Sequence, residues 1–184
     1  MTTVAPGGPP LAQHLRFTDK AHDELRGAAQ AFDRVIGSWD MDCTFTDAQG
    51  CRSSSAGEWH FGWILAGRML QDVLYFYPRG QRPTHMADWR GGTSLRLFDP
   101  KAGQWLVSWF AALRGEVIHL RGGAEGERIV LHGEDVDGAR LRWSFNNINE
   151  RSFRWVGETS SDLGMTWRIE QEMQLRRMTS GRAS

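Results

Sequence analysis

Five residues between Gly57 and Tyr77 have side chains that could do chemistry: Glu58, His60, Gln71, Asp72 and Tyr75. They sit among Trp59, Phe61, Trp63, Leu70, Leu74 and Phe76, in two runs that read as long strands folded at Ala66-Gly67. A carboxylate or histidine in such surroundings needs a partner or a ligand, because burying an unpaired charge is costly. Glu58 and His60 stand at i and i+2, so both leave the same face of their strand, about 7 Å apart. A two-residue turn would set His60 beside Val73 and Glu58 beside Tyr75, with Gln71 on that face. A three-residue turn would instead set Asp72 opposite His60. Either neighbour could fix the tautomer of His60 or shift its pKa, as a general acid or base requires. His60, Glu58 and Asp72 are thus the candidate catalytic residues. The plainer alternative places Glu58 and His60 on the outer wall of a dry barrel, where water accounts for them.

The elements that must position these groups are almost all strands. A helix is expected from Thr18, with Thr18 or Asp19 as its cap, Ala21, Leu25, Ala28, Ala29, Phe32, Val35 and Ile36 along one stripe, and Gly37 as its stop. The period then changes from 3.6 to 2 and stays there. Strands are expected near 38–46, 52–64, 67–77, 92–98, 104–112, 115–122, 127–134, 139–148, 152–160 and 165–176, joined by tight turns such as Asp137-Gly138. A meander of that length curls until its edges meet. The expectation is an all-β protein: a closed antiparallel barrel of about ten strands behind one N-terminal helix. It fills one domain, 18–178, between flexible tails at 1–17 and 179–184.

Alternation assigns the faces. Met165, Trp167, Ile169, Met173 and Leu175 oppose Thr166, Arg168, Glu170, Glu172 and Arg176, and Leu141, Trp143 and Phe145 oppose Arg140, Arg142 and Ser144. With the charged sets in water, Trp109, Trp143, Phe145, Trp155 and Trp167 line one interior, and with Gln71 and Tyr75 they make the expected ligand-binding set. Both faces of the 57–77 hairpin are apolar, so a helix, the long 78–91 connection or a second copy in a homodimer should cover the outer one.

Composition narrows the classes. The 22 basic and 22 acidic residues balance, which gives no overall electrostatic reason to seek nucleic acid or an acidic membrane. No apolar run approaches the ~20 residues of a membrane span, and the start of the chain shows no signal-peptide pattern. Cys43 and Cys51 flank a turn at 47–50 in poor register for a disulfide. A reduced, cytoplasmic location is the expectation. Nine Trp and nine Phe are the oddity. Each large ring buries about 150–250 Å², worth on the order of 4–6 kcal/mol at roughly 25 cal/mol per Å², so most are expected to be core. The six histidines and two cysteines show no metal-ligand spacing, and no phosphate loop or serine elbow appears.

Gly37-Ser38-Trp39, where helix gives way to strand, resembles the opening of the calycin superfamily: lipocalins, fatty-acid-binding proteins and nitrobindin-like relatives. The chain is most similar to uncharacterised bacterial calycin-like domains, through that start, Gly57-Glu58-Trp59-His60-Phe61-Gly62-Trp63, Gly67-Arg68, Leu97-Phe98-Asp99-Pro100 before Trp105, and the Trp-rich end. The resemblance implies a small barrel with Trp39 at its floor, and an Arg on the last strand, Arg176 or Arg177, packed across that Trp. Nitrobindins hold haem through a single histidine, which leaves no spacing to read; His119 and His132 would be the residues to do so here, although no cofactor is expected. Ser160-Ser161-Asp162-Leu163-Gly164-Met165-Thr166-Trp167 resembles the Asp-box of sialidases, which implies that Asp162 ties a turn and has no catalytic part. Gly37, Trp39, Asp162 and Arg176 are therefore structural candidates.

The function expected is the binding of a small apolar or aromatic molecule inside the barrel. The alternative is a cofactor-independent isomerase, cyclase or lyase using the histidine and a carboxylate in that cavity. A protein-interaction module is a third class.

Overall fold

From Gly37 onward every regular element among the described residues is a strand. The computed structural model describes residues 15, 18–85 and 90–179, so the expected tails lie outside the described residues except for Leu15 and Thr179. Ten strands follow one another as β1 (Gly37–Thr46), β2 (Arg52–Ile64), β3 (Met69–Tyr77), β4 (Arg90–Asp99), β5 (Gln104–Ala111), β6 (Glu116–Glu125), β7 (Arg128–Glu134), β8 (Arg140–Asn146), β9 (Ser152–Ser160) and β10 (Arg168–Arg177). Each pairs antiparallel with the next, and β1 pairs with β10 to close the barrel, Trp39 opposite Arg177 and Cys43 opposite Met173. Closure leaves no strand edge unpaired among the described residues.

The helix begins later and ends earlier than its stripe suggests. A 3-10 turn, Asp23–Leu25, leads into α1, Arg26–Asp33. Thr18 caps nothing: its backbone N–H donates to the Trp63 carbonyl at 3.0 Å and its hydroxyl to the Lys20 carbonyl at 2.8 Å. Residues 18–22 instead run across the β2–β3 turn, where His22 N–H donates to Gly67 O at 2.9 Å. Only glycine fits position 67, because a Cβ there would lie 2.5 Å from the His22 nitrogen, at φ +84°.

Val35 and Ile36 belong to the turn after α1. Phe32 and Val35 are fully buried and stop one end of the barrel, with Phe32 edge-on to Trp105 at 5.1 Å. Beneath them Trp39 is sealed, its indole N–H donating to Val35 O at 2.8 Å and its ring meeting Phe153 at 4.7 Å. The arginine across Trp39 is Arg177, whose guanidinium carbon lies 4.0 Å from the ring centroid and which donates to Ile36 O at 2.8 Å. Arg176 is an outer-wall residue paired with Asp42 at 3.0 Å. Gly37 is required beside Arg177, since a Cβ at φ +121° would lie 2.5 Å from Arg177 Nη1. This end is a floor of interlocked rings.

One strand departs from its alternation. A bulge between Ile169 and Gln171 slips the β9–β10 register by one residue. Met173 and Leu175 stay inside, while Met165 is 84% exposed and Ile169 39%. Trp167 lies on the outer wall, with the Arg142 guanidinium 4.2 Å above its ring. Cys43 is buried and Cys51 exposed, both free; burial pushes the Cys43 thiol up to about 11.

Candidate functional site

Above the ring-packed floor the barrel is hollow. The cavity holds about 500 Å³ and is lined in its middle by Leu74, Trp109, Leu131, Trp143, Phe145 and Trp155. It ends at the turns 112–115 and 135–139, where Leu113 and Val136 stand at the lip. The sheet places these rings because positions 109, 143, 145 and 155 fall on inward phases of β5, β8 and β9, with Ser94 opposite Trp109 and Phe145 opposite Trp155 in register. Gly92 leaves room for Trp109, whose ring would lie 2.7 Å from a Cβ there. Four of the five expected interior aromatics thus line the cavity; Trp167 does not, because of the β10 bulge.

The β2–β3 turn uses four residues, 65–68, yet keeps the register of the two-residue alternative: Ile64 faces Met69, His60 faces Val73 and Glu58 faces Tyr75. Asp72 therefore points inward beside Phe61, while Glu58, His60, Gln71 and Tyr75 point outward. The sheet separates the expected catalytic residues, and Gln71 and Tyr75 line no part of the cavity.

Inside, Asp72 is fully buried in an ion pair with Arg96 of β4, itself 3% exposed. Ser94 supports the carboxylate from the same strand, its backbone N–H and its hydroxyl each donating to Oδ1 at 3.3 Å. The Arg96 guanidinium also lies 5.3 Å from the Phe32 ring centroid and 5.6 Å from that of Phe61. Ser94 and Arg96 line the cavity together with Trp59. Two buried donors in this group, Trp59 Nε1 and Arg96 Nε, have no hydrogen-bond partner among the described residues.

Outside, Glu58 is only 2% exposed although it faces away from the cavity. It accepts hydrogen bonds from the Tyr77 hydroxyl at 3.2 Å and from His60 Nε2 at 3.3 Å, and pairs with Arg82 at 2.5 Å. A carboxylate only accepts, so His60 Nε2 donates in this contact, and Nδ1 lies 2.9 Å from the Ser38 hydroxyl. Burial, then the negative charge of Glu58, pushes Tyr77 up to about 12. Arg79 reaches Asp42 at 2.9 Å, so residues 78–85 are strapped to the outer wall at two points. Of the long connection, Met86 and Trp89 lie outside the described residues.

Arg96 and Ser94 inside, and Ser38, Tyr77 and Arg82 outside, are the polar members of these two clusters that sequence reasoning missed. A signal existed for Arg96: an acid on the apolar face of β3 calls for a base on an adjacent inward strand position. His119 and His132 both stand on outer strand positions, His119 bonded to the Ser108 hydroxyl at 2.9 Å and His132 half exposed. No histidine is among the described cavity-lining residues. Haem held through one histidine does not fit this donor set.

The sequence matches no family model and no curated protein. Among solved structures it is similar to Rv2717c from M. tuberculosis, at 15% identity and a TM-score of 0.60, over 87% of this chain and all of that one. It is also similar to the S-type phycobiliprotein lyase CPES from Guillardia theta, at 9% identity and a TM-score of 0.56, over 82% of this chain and 92% of that one. The fold is calycin-like. At these identities the likeness concerns the shape of the barrel, and the wall residues described above are this chain's own.

Proposed function

We propose that this calycin-like barrel binds a small apolar or aromatic molecule in its interior. The observation that carries the reading is the cavity of about 500 Å³, walled by Trp109, Trp143, Phe145 and Trp155 and stopped at one end by α1. Its volume falls in the range of small-molecule pockets, roughly 300–1,000 Å³, and its wall has their usual make-up of apolar rings with a few fixed polar groups. A barrel filled by its own side chains would have closed this space, as the floor does around Trp39.

Native mass spectrometry of the protein purified from its own host tests the reading. A retained small molecule is expected, and it should be lost from Ala111→Trp, which puts a large ring at the mouth. A protein that carries no such mass, and whose thermal midpoint no aromatic compound raises, would end the proposal.

A further inference from the structure

The extra residue in β10 decides which of its side chains looks into the cavity. With the bulge in place, Gln171 stands opposite Gly157 of β9 and Phe45 of β1, on the inward phase it shares with the buried Met173 and Leu175. Bulges at barrel rims commonly re-aim a side chain in this way. Gln171 is half-buried and lines the cavity. Its amide N–H donates to the Cys43 sulfur at 3.4 Å, a weak acceptor. Its carbonyl oxygen, Oε1, has no hydrogen-bond partner among the described residues, yet it is not one of the sealed unpaired atoms and keeps accessible surface. A ligand that covered Oε1 without donating to it would leave a desolvated acceptor unpaired, which costs affinity.

The surroundings decide what carries that donor. Gly157 clears the space beside Gln171: a Cβ there would lie 2.6 Å from Trp155 Cη2, so the Trp155 ring folds back over the glycine. Trp143 faces Gly157 from β8, its ring edge-on to Trp155 at 5.5 Å. The wall next to the amide is thus ring surface, which suits a flat aromatic body. Charge narrows the donor. Glu170 lines the same stretch and would oppose an anion, while Arg168 at 2.8 Å already answers its carboxylate and weakens its pull on a cation. From this open amide oxygen beside a ring surface we infer that the ligand is a neutral aromatic molecule with a hydrogen-bond donor, of which a phenolic hydroxyl is the simplest, held by Gln171. The inference rests on the container reading above and names the chemical class of its ligand.

Three naphthalenes of nearly equal size test it: 2-naphthol, which donates; 2-methoxynaphthalene, which only accepts; and 2-methylnaphthalene, which does neither. Each is titrated calorimetrically into the full chain and into Gln171→Met, which keeps the length of the side chain and removes the amide. Relative to the hydrocarbon, the variant is expected to lose about two- to tenfold in affinity for the naphthol, the worth of one ordinary hydrogen bond. The ether should follow the hydrocarbon, and a urea midpoint confirms that the variant folds. In the wild type, naphthol should move the side-chain carbonyl carbon resonance of Gln171 downfield and methylnaphthalene should not, a reading that decides the matter even if the variant fails to fold. An unchanged ratio of naphthol to hydrocarbon affinity in the variant would overturn the inference while leaving the container intact. So would an ether that loses as much as the naphthol. Failure of all three to bind would overturn the inference and the container reading together.

Discussion

Removing the carboxylate from Asp72 would leave Arg96 charged and sealed among Phe32, Phe61 and the strand backbones. Breaking a buried pair on one side typically costs about 3–5 kcal/mol, whereas replacing both partners by apolar residues is often close to neutral. Asp72→Asn is therefore expected to lose about 3–5 kcal/mol in urea unfolding, and the double variant Asp72→Leu, Arg96→Met to be clearly more stable than the single one. The need for a partner at Asp72 was legible from its apolar neighbours, and it called for a base on an adjacent strand, but nothing within β4 singled out Arg96. In β4 the residues Leu95 and Leu97 look like the inward set, yet Leu97 is 46% exposed and Arg96 is inside. A charge balanced only across strands leaves no mark on the alternation within its own strand. Glu58 and His60 show the converse: their shared face was readable, whereas the burial of Glu58 depends on Arg82 arriving from a connection without periodicity.

At the scale of elements, the ten strands were readable from period and turn chemistry, through turns such as Asp137-Gly138 and dyads such as Leu141, Trp143 and Phe145 in β8, although the β2–β3 turn puts Leu65 and Ala66 at positive φ. The bulge in β10 was not, since one extra residue reverses the faces without changing composition. Next to it, Asp162 ties the β9–β10 turn, accepting from Ser160 Oγ at 2.7 Å, Thr166 N–H at 2.8 Å and Thr166 Oγ1 at 2.6 Å. These bonds, led by the Thr166 hydroxyl, hold its carboxyl down at about 2, against an ordinary value near 4. A depressed folded-state pKa means stability that is complete above the unfolded value and lost as the pH falls toward the folded one. The gap in thermal midpoint between wild type and Asp162→Asn should accordingly stay level above about pH 5 and narrow between about 4 and about 2.

For the whole molecule the decisive division is between a packed floor and a hollow upper barrel. The floor was foreshadowed by Gly37-Ser38-Trp39; the part played by Phe32 and Val35 was not, because a single helical stripe does not reveal whether it flanks a barrel or stops its end. Trp39→Ala empties a sealed site beneath that stopper and should destabilise by about 3–5 kcal/mol in urea. At the opposite end Leu113 and Val136 form the lip, and residues 78–85 bind back to the outer wall through Arg79 and Arg82.

Because α1 stops the floor, the calycin-like barrel is a blind tube. Whatever goes in first comes out last, and water displaced by an arriving molecule has to leave past it through the same mouth. The trailing end of a guest stops wherever the tube runs out. In a series of alkylnaphthalenes, each added methylene should improve affinity by a few-fold, about 0.8 kcal/mol for each one fully buried, until the chain reaches the carboxylates at the lip. Beyond that length calorimetry should show a plateau. Affinity that kept climbing with chain length would mean that the tube has a second opening.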